Sequence, residues 1–304
     1  MAAIEIEGLR KEYRRLRGAS LRALDGVDLT IASSGVHGFL GPNGSGKTTT
    51  IRCLLGLARP TGGRCRILGV DSWTEAWKVA GRFGALVELP GLTPDLSARR
   101  QLALLGRLAG IGPRRVEAVL ERVGLADRAN DKVRGYSQGM RQRLGIGVAL
   151  LRDPELLVLD EPANGLDPAG IKAVRELTRS LGAEGRTVFV SSHILGEVQQ
   201  TCDSVAILSR GRCVASGPVE EVLAAGQAAG MLVRLDDLDA GAAALTAAGL
   251  EVLRHDTYLR VALAPGEAAT ITRTLAGAGL YLTDLRPEPV DLEAVFLRLT
   301  GDQR

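Results

Sequence analysis

A glycine-rich octapeptide constrains the fold of this 304-residue chain more than any other feature. The apolar run Val36–Leu40 predicts a buried strand, and the residues through Leu57 predict an apolar helix. Between them the chain matches G-x-x-x-x-G-K-[ST] with Gly41, Pro42, Asn43, Gly44, Ser45, Gly46, Lys47 and Thr48. A strand, a glycine-rich turn and a helix are the context in which this pattern forms a phosphate-binding loop, or P-loop.

The chemistry of the P-loop predicts a site for a nucleoside triphosphate and Mg²⁺. Glycines let the backbone turn tightly enough for successive N–H groups to point at phosphate oxygens, and the following helix adds its positive N-terminal end. Lys47 is expected to reach the terminal phosphates and to act in catalysis, while the Thr48 hydroxyl binds Mg²⁺. Thr49 is expected to contribute to nucleotide binding. A chance match in a chain of this length is on the order of one in a hundred.

Two acidic residues follow a second buried strand. The run Leu156–Leu159 is wholly apolar and ends at Asp160 and Glu161. The carboxyl ends of parallel strands lie at the sheet edge where ligands of α/β proteins bind. Asp160 is therefore expected to hold Mg²⁺, directly or through water, and Glu161 to orient and deprotonate the attacking water. Without the P-loop, ordinary solvated acids after a buried strand would explain this pattern equally well.

Strand and helix patterns predict an α/β first domain, residues 1–218. Strands alternate with helices, which indicates a mostly parallel, three-layer core of the P-loop NTPase type. Residues 90–152 show helical periodicity with little strand character, and we predict a helical insert there. The predicted strands are residues 4–9, Val27–Ile31, Val36–Leu40, Leu156–Leu159 and Val188–Ser191.

A second, smaller domain is predicted over residues 219–304. Its elements follow the order βαββαβ, which is typical of a ferredoxin-like α+β domain, and a last amphipathic helix is predicted at Asp291–Thr300. The six elements are the strand Met231–Leu235, the helix Asp239–Ala248, the strands Glu251–His255 and Tyr258–Ala264, the helix Glu267–Gly277 and the strand Tyr281–Leu285.

Composition narrows the classes of function. A formal charge of +3 is too small to indicate a nucleic-acid-binding protein. The four cysteines are far apart and form no C-x-x-C pair, so we expect reduced structural thiols. No window of about 18 apolar residues exists, and the first residues carry acids where a secretory signal needs bases. The prediction is a protein on the cytoplasmic side of the membrane that contacts the membrane only through a partner.

Three further segments, in a fixed order with the motifs above, resemble the ATP-binding-cassette (ABC) ATPases. They are Gly135–Leu144 (GYSQGMRQRL), Asn164–Pro168 (NGLDP) and Ser191–His193 (SSH). The resemblance covers about residues 4–217, and the order of the motifs is more specific than any one of them. It implies an ATPase subunit that acts as a homodimer beside separate transmembrane permease subunits.

The resemblance also implies roles for residues whose local pattern is ambiguous. Tyr13 matches the aromatic residue that stacks on adenine, although an ordinary surface tyrosine fits equally well. His193 matches the switch histidine that contacts the γ-phosphate, and this role depends on the resemblance alone.

The signature and D-loop segments are implied to act across a dimer. Ser137, Gln138 and Gly139 match the signature, which contacts the γ-phosphate bound by the other copy. By itself the same stretch would be a helix N-cap. Asp167 matches the D-loop residue that links the two sites, and on local grounds it is a turn residue before Pro168.

Two positions depart from the family pattern. The signature usually reads Leu-Ser-Gly-Gly-Gln, whereas this chain has Tyr136–Met140 (YSQGM). Glu88 stands where the family has a glutamine that reaches Mg²⁺, and it adds charge near the phosphates. Both variants resemble the subset (ABC-2 type) that serves exporters of drugs, antibiotics and lipids. The implied permease-docking surface is Glu88–Leu104, with Leu89, Leu92 and Leu96 on or near it.

Two other classes of function remain as alternatives. The first is the ATPase subunit of an importer. The second is a cassette protein that acts on ribosomes or nucleic acid, but such proteins have tandem cassettes or a long coiled coil, and this chain has a single cassette without sustained heptads. A guanine-specific switch needs Asn-Lys-x-Asp, which Asn130–Lys132 does not supply.

Overall fold

The computed structural model describes residues 2–13, 20–87, 91–225 and 230–288, together with Leu292, Val295, Phe296 and Leu299. The chain divides into two compact units, Met1–Val219 and Glu220–Arg304. The division differs by one residue from the boundary expected from the sequence. Glu88 lies outside the described residues, as does the predicted helix Asp291–Thr300 apart from the four single positions.

The first unit contains two sheets. Its strands are β1 (Ala2–Tyr13), β2 (Leu21–Ala32), β3 (Gly35–Leu40), β4 (Gly62–Ile67), β5 (Val70–Asp71), β6 (Phe83–Leu86), β7 (Leu156–Leu159), β8 (Thr187–Ser192), β9 (Ser204–Ser209) and β10 (Arg212–Pro218). The larger sheet has the order β10-β9-β3-β8-β7-β6, in which only β10 is antiparallel to its neighbour. The smaller sheet, β2-β1-β4-β5, is antiparallel throughout.

The two sheets differ because their sequences differ. Strand β7 is apolar at every position and buried at every position, as expected for a central strand of a parallel sheet. Strand β1 alternates instead: Ile4 and Ile6 are buried, whereas the carboxylate of Glu5 faces Arg66 of β4 at 3.1 Å. The first two predicted strands thus belong to the antiparallel sheet, outside the parallel core.

Some helices of the first unit pack on these sheets, and others pack on neighbouring helices. They are α1 (Lys47–Leu54), α2 (Ala98–Leu108), α3 (Pro113–Arg122), α4 (Gln138–Leu150), α5 (Pro168–Ala183) and α6 (Leu195–Thr201), whereas α7 (Val219–Ala225) belongs to the second unit except for its first residue. Ile51 and Leu54 of α1 are fully buried in one apolar core with residues of both sheets. The prediction that this helix continues through Leu57 was wrong, because Gly56 adopts φ +70° and its N–H bonds back to Cys53 O at 3.1 Å, which ends the helix.

The second unit has the predicted βαββαβ order. Its elements are β11 (Met231–Leu235), α8 (Leu238–Ala247), β12 (Val252–Arg254), β13 (Leu259–Val261), α9 (Ala268–Gly277) and β14 (Leu282–Pro287). The sheet order β12-β13-β11-β14 is antiparallel throughout, which is the ferredoxin-like arrangement. Val233 and Leu259 of the sheet share an apolar core with Leu245 of α8 and Ile271 of α9.

Candidate nucleotide-binding site

The P-loop connects β3 to α1 at the carboxyl end of the parallel sheet, where sequence analysis expected it. Two glycines are required by its geometry. A Cβ on Gly41 would lie 2.4 Å from Ser45 Oγ, and Gly46 adopts φ +110° with Leu24 Cδ2 2.6 Å from where its Cβ would be. Neither position can hold a larger residue without moving the loop.

A cavity of about 450 Å³ opens over the P-loop. This volume is within the range of small-molecule sites. The predicted residues that line it are Tyr13, Asn43, Gly44, Gly46, Lys47, Thr48, Thr49, Glu161 and His193. The sequence did not predict four further lining residues, which are Leu21, Arg22, Ala23 and Asn164.

Lys47, Glu161 and His193 form one connected polar network in this cavity. Lys47 is only 6% exposed, and its Nζ donates to Gly41 O at 2.7 Å. The same Nζ lies 3.1 Å from Glu161 Oε1. The other carboxylate oxygen, Glu161 Oε2, lies 2.7 Å from His193 Nδ1. The carboxylate of Glu161 therefore bridges the P-loop lysine and the histidine that follows β8.

Asp160 lies beside this network but does not line the cavity. Its side chain is 4% exposed, and Ser191 Oγ donates to its Oδ1 at 2.5 Å. The same hydroxyl accepts the N–H of Glu161 at 2.9 Å. The sequence named Ser191 only as part of the Ser191–His193 segment and gave it no role, because a hydrogen bond between two strand ends has no sequence signal.

The donor set around the loop fits Mg²⁺ bound together with phosphate. Thr48 offers a hydroxyl and Asp160 a carboxylate, which are hard oxygen ligands. The described residues hold no group of three or more His, Cys, Asp or Glu side chains that would cage a metal. Mg²⁺ usually keeps several waters and takes one or two protein ligands plus substrate phosphates. Ser45 Oγ is buried without a hydrogen-bond partner in the described structure, as suits a loop that accommodates phosphate oxygens.

Ser137, Gln138, Gly139 and Asp167 do not line the P-loop cavity of their own chain, although Asn164 of the D-loop segment does. Ser137 is the N-cap of α4, where its Oγ accepts Met140 N–H at 3.3 Å. Asp167 is the N-cap of α5, where its Oδ1 accepts Gly170 N–H at 3.1 Å. Gln138 Nε2 donates to Asn164 O at 3.2 Å and so connects the signature to the D-loop. Within one chain, the signature residues and Asp167 therefore lie outside the P-loop cavity.

Tyr136 has a structural role at the variant signature position. Its ring is 3% exposed, and its hydroxyl donates to Arg128 O at 2.7 Å. Burial raises the pKa of this hydroxyl above its ordinary value. The side chain thus anchors the start of the signature and leaves Ser137 at the helix end.

Tyr13 lines the cavity from the antiparallel sheet. Its side chain is 36% exposed, and Lys11 Nζ lies 4.9 Å from the centre of its ring. An exposed aromatic face at the cavity rim has the geometry that base stacking needs.

Known proteins resemble this chain throughout its length. The family described as "ABC transporter" matches residues 24–164. The daunorubicin resistance ATP-binding protein of Streptomyces coeruleorubidus is 40% identical, over 99% of this chain and 97% of that protein. The bacitracin transport ATP-binding protein of Bacillus licheniformis is 43% identical, over 67% of each chain.

The fold comparison agrees. The solved dimeric structure of a bacterial ABC transporter cassette covers 71% of this chain and 98% of its own, with a TM-score of 0.65 at 25% identity. In the described part of the chain, no helix is both long and apolar enough to cross a membrane. The predicted P-loop α/β fold and the family are confirmed: this chain belongs to the ABC transporter family and is one of its ATP-hydrolysing, ATP-binding subunits.

Proposed function

We propose that this chain energises the export of a drug, an antibiotic or a lipid-like compound, as the ATPase subunit of a transporter with separate membrane-spanning subunits. The observation that carries the proposal is the 40% identity, over nearly the whole of both chains, to a daunorubicin resistance protein. The bacitracin transport relative supports the same class of cargo. A neighbouring gene for a hydrophobic six-helix protein would support export, whereas one for a secreted solute-binding protein would support import.

The residues of the P-loop and of the cavity have different roles in hydrolysis. The P-loop N–H groups and Lys47 bind the phosphates and counter their charge. Glu161 orients the attacking water and takes its proton, and His193 contacts the γ-phosphate from the end of β8. Tyr13 stacks on the base, and Gly41, Pro42, Asn43, Gly44, Ser45 and Gly46 form the cradle, with Thr49 beside it.

Mg²⁺ would be held by Thr48 and Asp160. It would neutralise charge that develops on the phosphate oxygens. Glu88 is proposed to bind near it in place of the family's glutamine, and this residue lies outside the described part of the chain.

Hydrolysis by Glu161 is tested by Glu161→Gln. The amide cannot take a proton, and because a positioned general base contributes roughly 10²–10⁴-fold, turnover should fall within that range. A matched control is Glu155→Gln, at the other end of β7, where the carboxylate is paired with Arg82 at 2.7 Å on the surface. Wild-type turnover by Glu161→Gln would show that another group is the base.

We propose further that two copies share their sites. ATP bound by Lys47 of one copy would be covered by Ser137, Gln138 and Gly139 of the other, with Asp167 between the two sites. The physical reason is that one chain's cavity is open, and donors are needed on the far side of the γ-phosphate, where charge develops. A helix N-terminus such as that of α4 supplies such donors.

Mixing two inactive variants tests the sharing. Each shared site pairs Lys47 of one copy with Ser137 of the other. In a mixed dimer of Lys47→Ala and Ser137→Arg, one site therefore contains both substitutions and the other contains neither. Mixing should therefore restore part of the ATPase activity. If differential tags prove that mixed dimers form and no activity returns, each site is built from a single chain.

The docking surface for the permease is proposed on the helical insert. Glu88 and Leu89 of the expected surface lie outside the described residues, and Leu92 and Leu96 are half-buried. Leu104 and Leu108 of α2 are 52% and 81% exposed, and Leu108 lines a groove of about 300 Å³ with Phe83 of β6. An exposed apolar groove of this kind suits a helix of a membrane protein.

Co-expression tests this attachment. Expressed alone, the chain should remain in the supernatant after ultracentrifugation, and with its permease it should sediment with membranes. Leu108→Asp should reduce co-sedimentation without changing nucleotide binding. Sedimentation of the chain expressed alone would contradict attachment through a partner.

A further inference from the structure

Ser191 is the second-last residue of β8 and lies beside the end of β7, and none of the roles assigned above uses it. The two strands are parallel, with Leu159 paired to Val190, so Asp160 and Ser191 are the next residues along. The side chain of Ser191 is 0% exposed. Because Ser191 does not line the P-loop cavity, it acts on the site only through other residues.

The hydroxyl of Ser191 bridges the two acidic residues. It donates to Asp160 Oδ1 at 2.5 Å and accepts the N–H of Glu161 at 2.9 Å. An ionised carboxylate has only acceptors and a backbone N–H only donates, so the direction of both bonds is fixed. A serine or threonine hydroxyl makes both bonds at once, and an alanine makes neither.

The backbone that carries Glu161 is in an uncommon conformation. Glu161 has φ +48°, in the left-handed region that residues with a Cβ rarely adopt. Such conformations persist where the surroundings hold them, and they cluster at functional sites. Here the N–H of Glu161 donates to Ser191 Oγ, and the carbonyl oxygen of Glu161 accepts the N–H of Asn164 at 3.1 Å. This turn directs the Glu161 carboxylate to Lys47 and His193.

We propose that Ser191 is a positioning residue for ATP hydrolysis: its hydroxyl orients the Asp160 carboxylate for Mg²⁺ and fixes the backbone from which Glu161 reaches the attacking water. This inference rests on the proposed roles of Asp160 and Glu161. A hydrogen bond to a ligand of the metal fixes the orientation of that ligand, and losing such a partner typically costs 10–100-fold in metal affinity or activity.

The experiment compares Ser191→Ala with Ser192→Ala. The adjacent serine is a matched control because its hydroxyl accepts Ile194 N–H at 2.9 Å, before α6, and touches neither acid. Ser191→Ala should lower kcat by about 10–100-fold and raise the Mg²⁺ concentration at half-maximal rate, with the KM for ATP within about twofold. Ser192→Ala should match the wild type in all three to within about twofold.

Binding gives a readout that is independent of turnover. A fluorescent ATP analogue should bind wild type and Ser191→Ala equally in EDTA, because Ser191 does not touch the nucleotide. At a Mg²⁺ concentration too low to saturate the variant, the wild type should bind the analogue more tightly than the variant does. Ser191→Thr keeps a hydroxyl and should recover most of the lost turnover, with its melting temperature as the check on folding.

The outcomes separate the two proposals. An inactive wild type would overturn the proposed hydrolysis by this site, whereas an active wild type and an equally active Ser191→Ala overturn only the role of Ser191. Equal loss of nucleotide affinity in EDTA and in Mg²⁺ would also overturn it, since that pattern indicates general disruption. The role of Ser191 would likewise be overturned if Ser191→Thr melts like the wild type but hydrolyses ATP as slowly as Ser191→Ala does.

Discussion

Glu161→Gln should tighten the binding of ADP as well as slow hydrolysis. Lys47 Nζ is paired with Glu161 Oε1 at 3.1 Å, and the two side chains are 6% and 20% exposed. Phosphates that bind the P-loop must compete with this carboxylate for the lysine. Glu161→Gln removes the negative charge of this carboxylate and so frees Lys47 to bind phosphate. Because the ion pair involves only protein side chains, ADP, which has no γ-phosphate, should also bind more tightly.

The magnitude follows from the geometry. Two unit charges 3.1 Å apart attract by about 5 kcal/mol at an effective dielectric constant of about 20. Most of this is offset because the carboxylate regains hydration and new contacts when it is displaced. We expect a net penalty of about 1.4 kcal/mol, so that Glu161→Gln binds ADP about tenfold more tightly.

The assay is a titration with fluorescent ADP in EDTA, so that no divalent cation takes part. Glu155→Gln is the control, because this substitution removes the same formal charge from a carboxylate that pairs with Arg82 on the surface. ADP is preferred to ATP because repulsion between Glu161 and a γ-phosphate would give the same direction of change. If Glu161→Gln binds ADP no better than Glu155→Gln does, the lysine is not restrained by this ion pair.

Three further predictions concern the framework of the site. Burial lowers the pKa of His37, so the unfolded chain binds a proton more readily than the folded chain does. The stability that neutral His37 contributes should therefore be complete above the usual pKa of about 6.5 and be lost as pH falls through the folded value. Melting curves of wild type and His37→Gln from pH 7.5 to 5 measure this difference. Burial raises the thiol pKa of Cys53 to about 11 and of Cys65 and Cys202 to about 12, so a thiol-specific disulfide reagent at pH 8 should label these three only after denaturant is added. Gly46→Ala places a Cβ at φ +110° and 2.6 Å from Leu24 Cδ2, which should cost about 1–3 kcal/mol in urea unfolding and weaken nucleotide binding.

Elements with clear apolar patterns were predictable from the sequence. β7 and β11 have the predicted bounds, because one is continuously apolar and the other alternates under two helices. Strands β4, β5, β6 and β10 were missed. β4 (GGRCRI) has two glycines and two arginines that pair with glutamates of β1, and β10 (RCVASGP) contains Gly, Ser and Pro, so both have low strand propensity. Tertiary pairing decides their conformation. β9 (SVAILS) is an apolar run that was overlooked.

The identities of the site residues were predictable, but not their mutual contacts. The motifs named Lys47, Glu161 and His193 separately, and nothing in their spacing indicates that one carboxylate bridges the other two. Asn164 lies at the cavity because its chain turns back after Glu161, with Asn164 N–H bonded to Glu161 O at 3.1 Å. Such contacts depend on the backbone at φ +48°, which the sequence of an ordinary glutamate does not reveal.

Ser137→Asp separates the two roles that the sequence left open for this residue. As the N-cap of α4, Ser137 accepts Met140 N–H, and aspartate caps about as well as serine. The carboxylate also lies favourably at the positive end of the helix. The free energy of unfolding should therefore change by less than about 0.5 kcal/mol, and α4 should stay intact. If Ser137 faces the γ-phosphate of a second copy's ATP, however, the new negative charge repels that phosphate, and ATPase activity should fall by tenfold or more. Urea unfolding and ATPase rates of the same preparation decide between the two roles. The matched control is Ser97→Asp at the N-cap of α2, where Ser97 Oγ accepts Arg100 N–H at 3.3 Å. Full activity in a stable Ser137→Asp chain would mean that Ser137 only caps a helix, and the shared site would then lack its central contact.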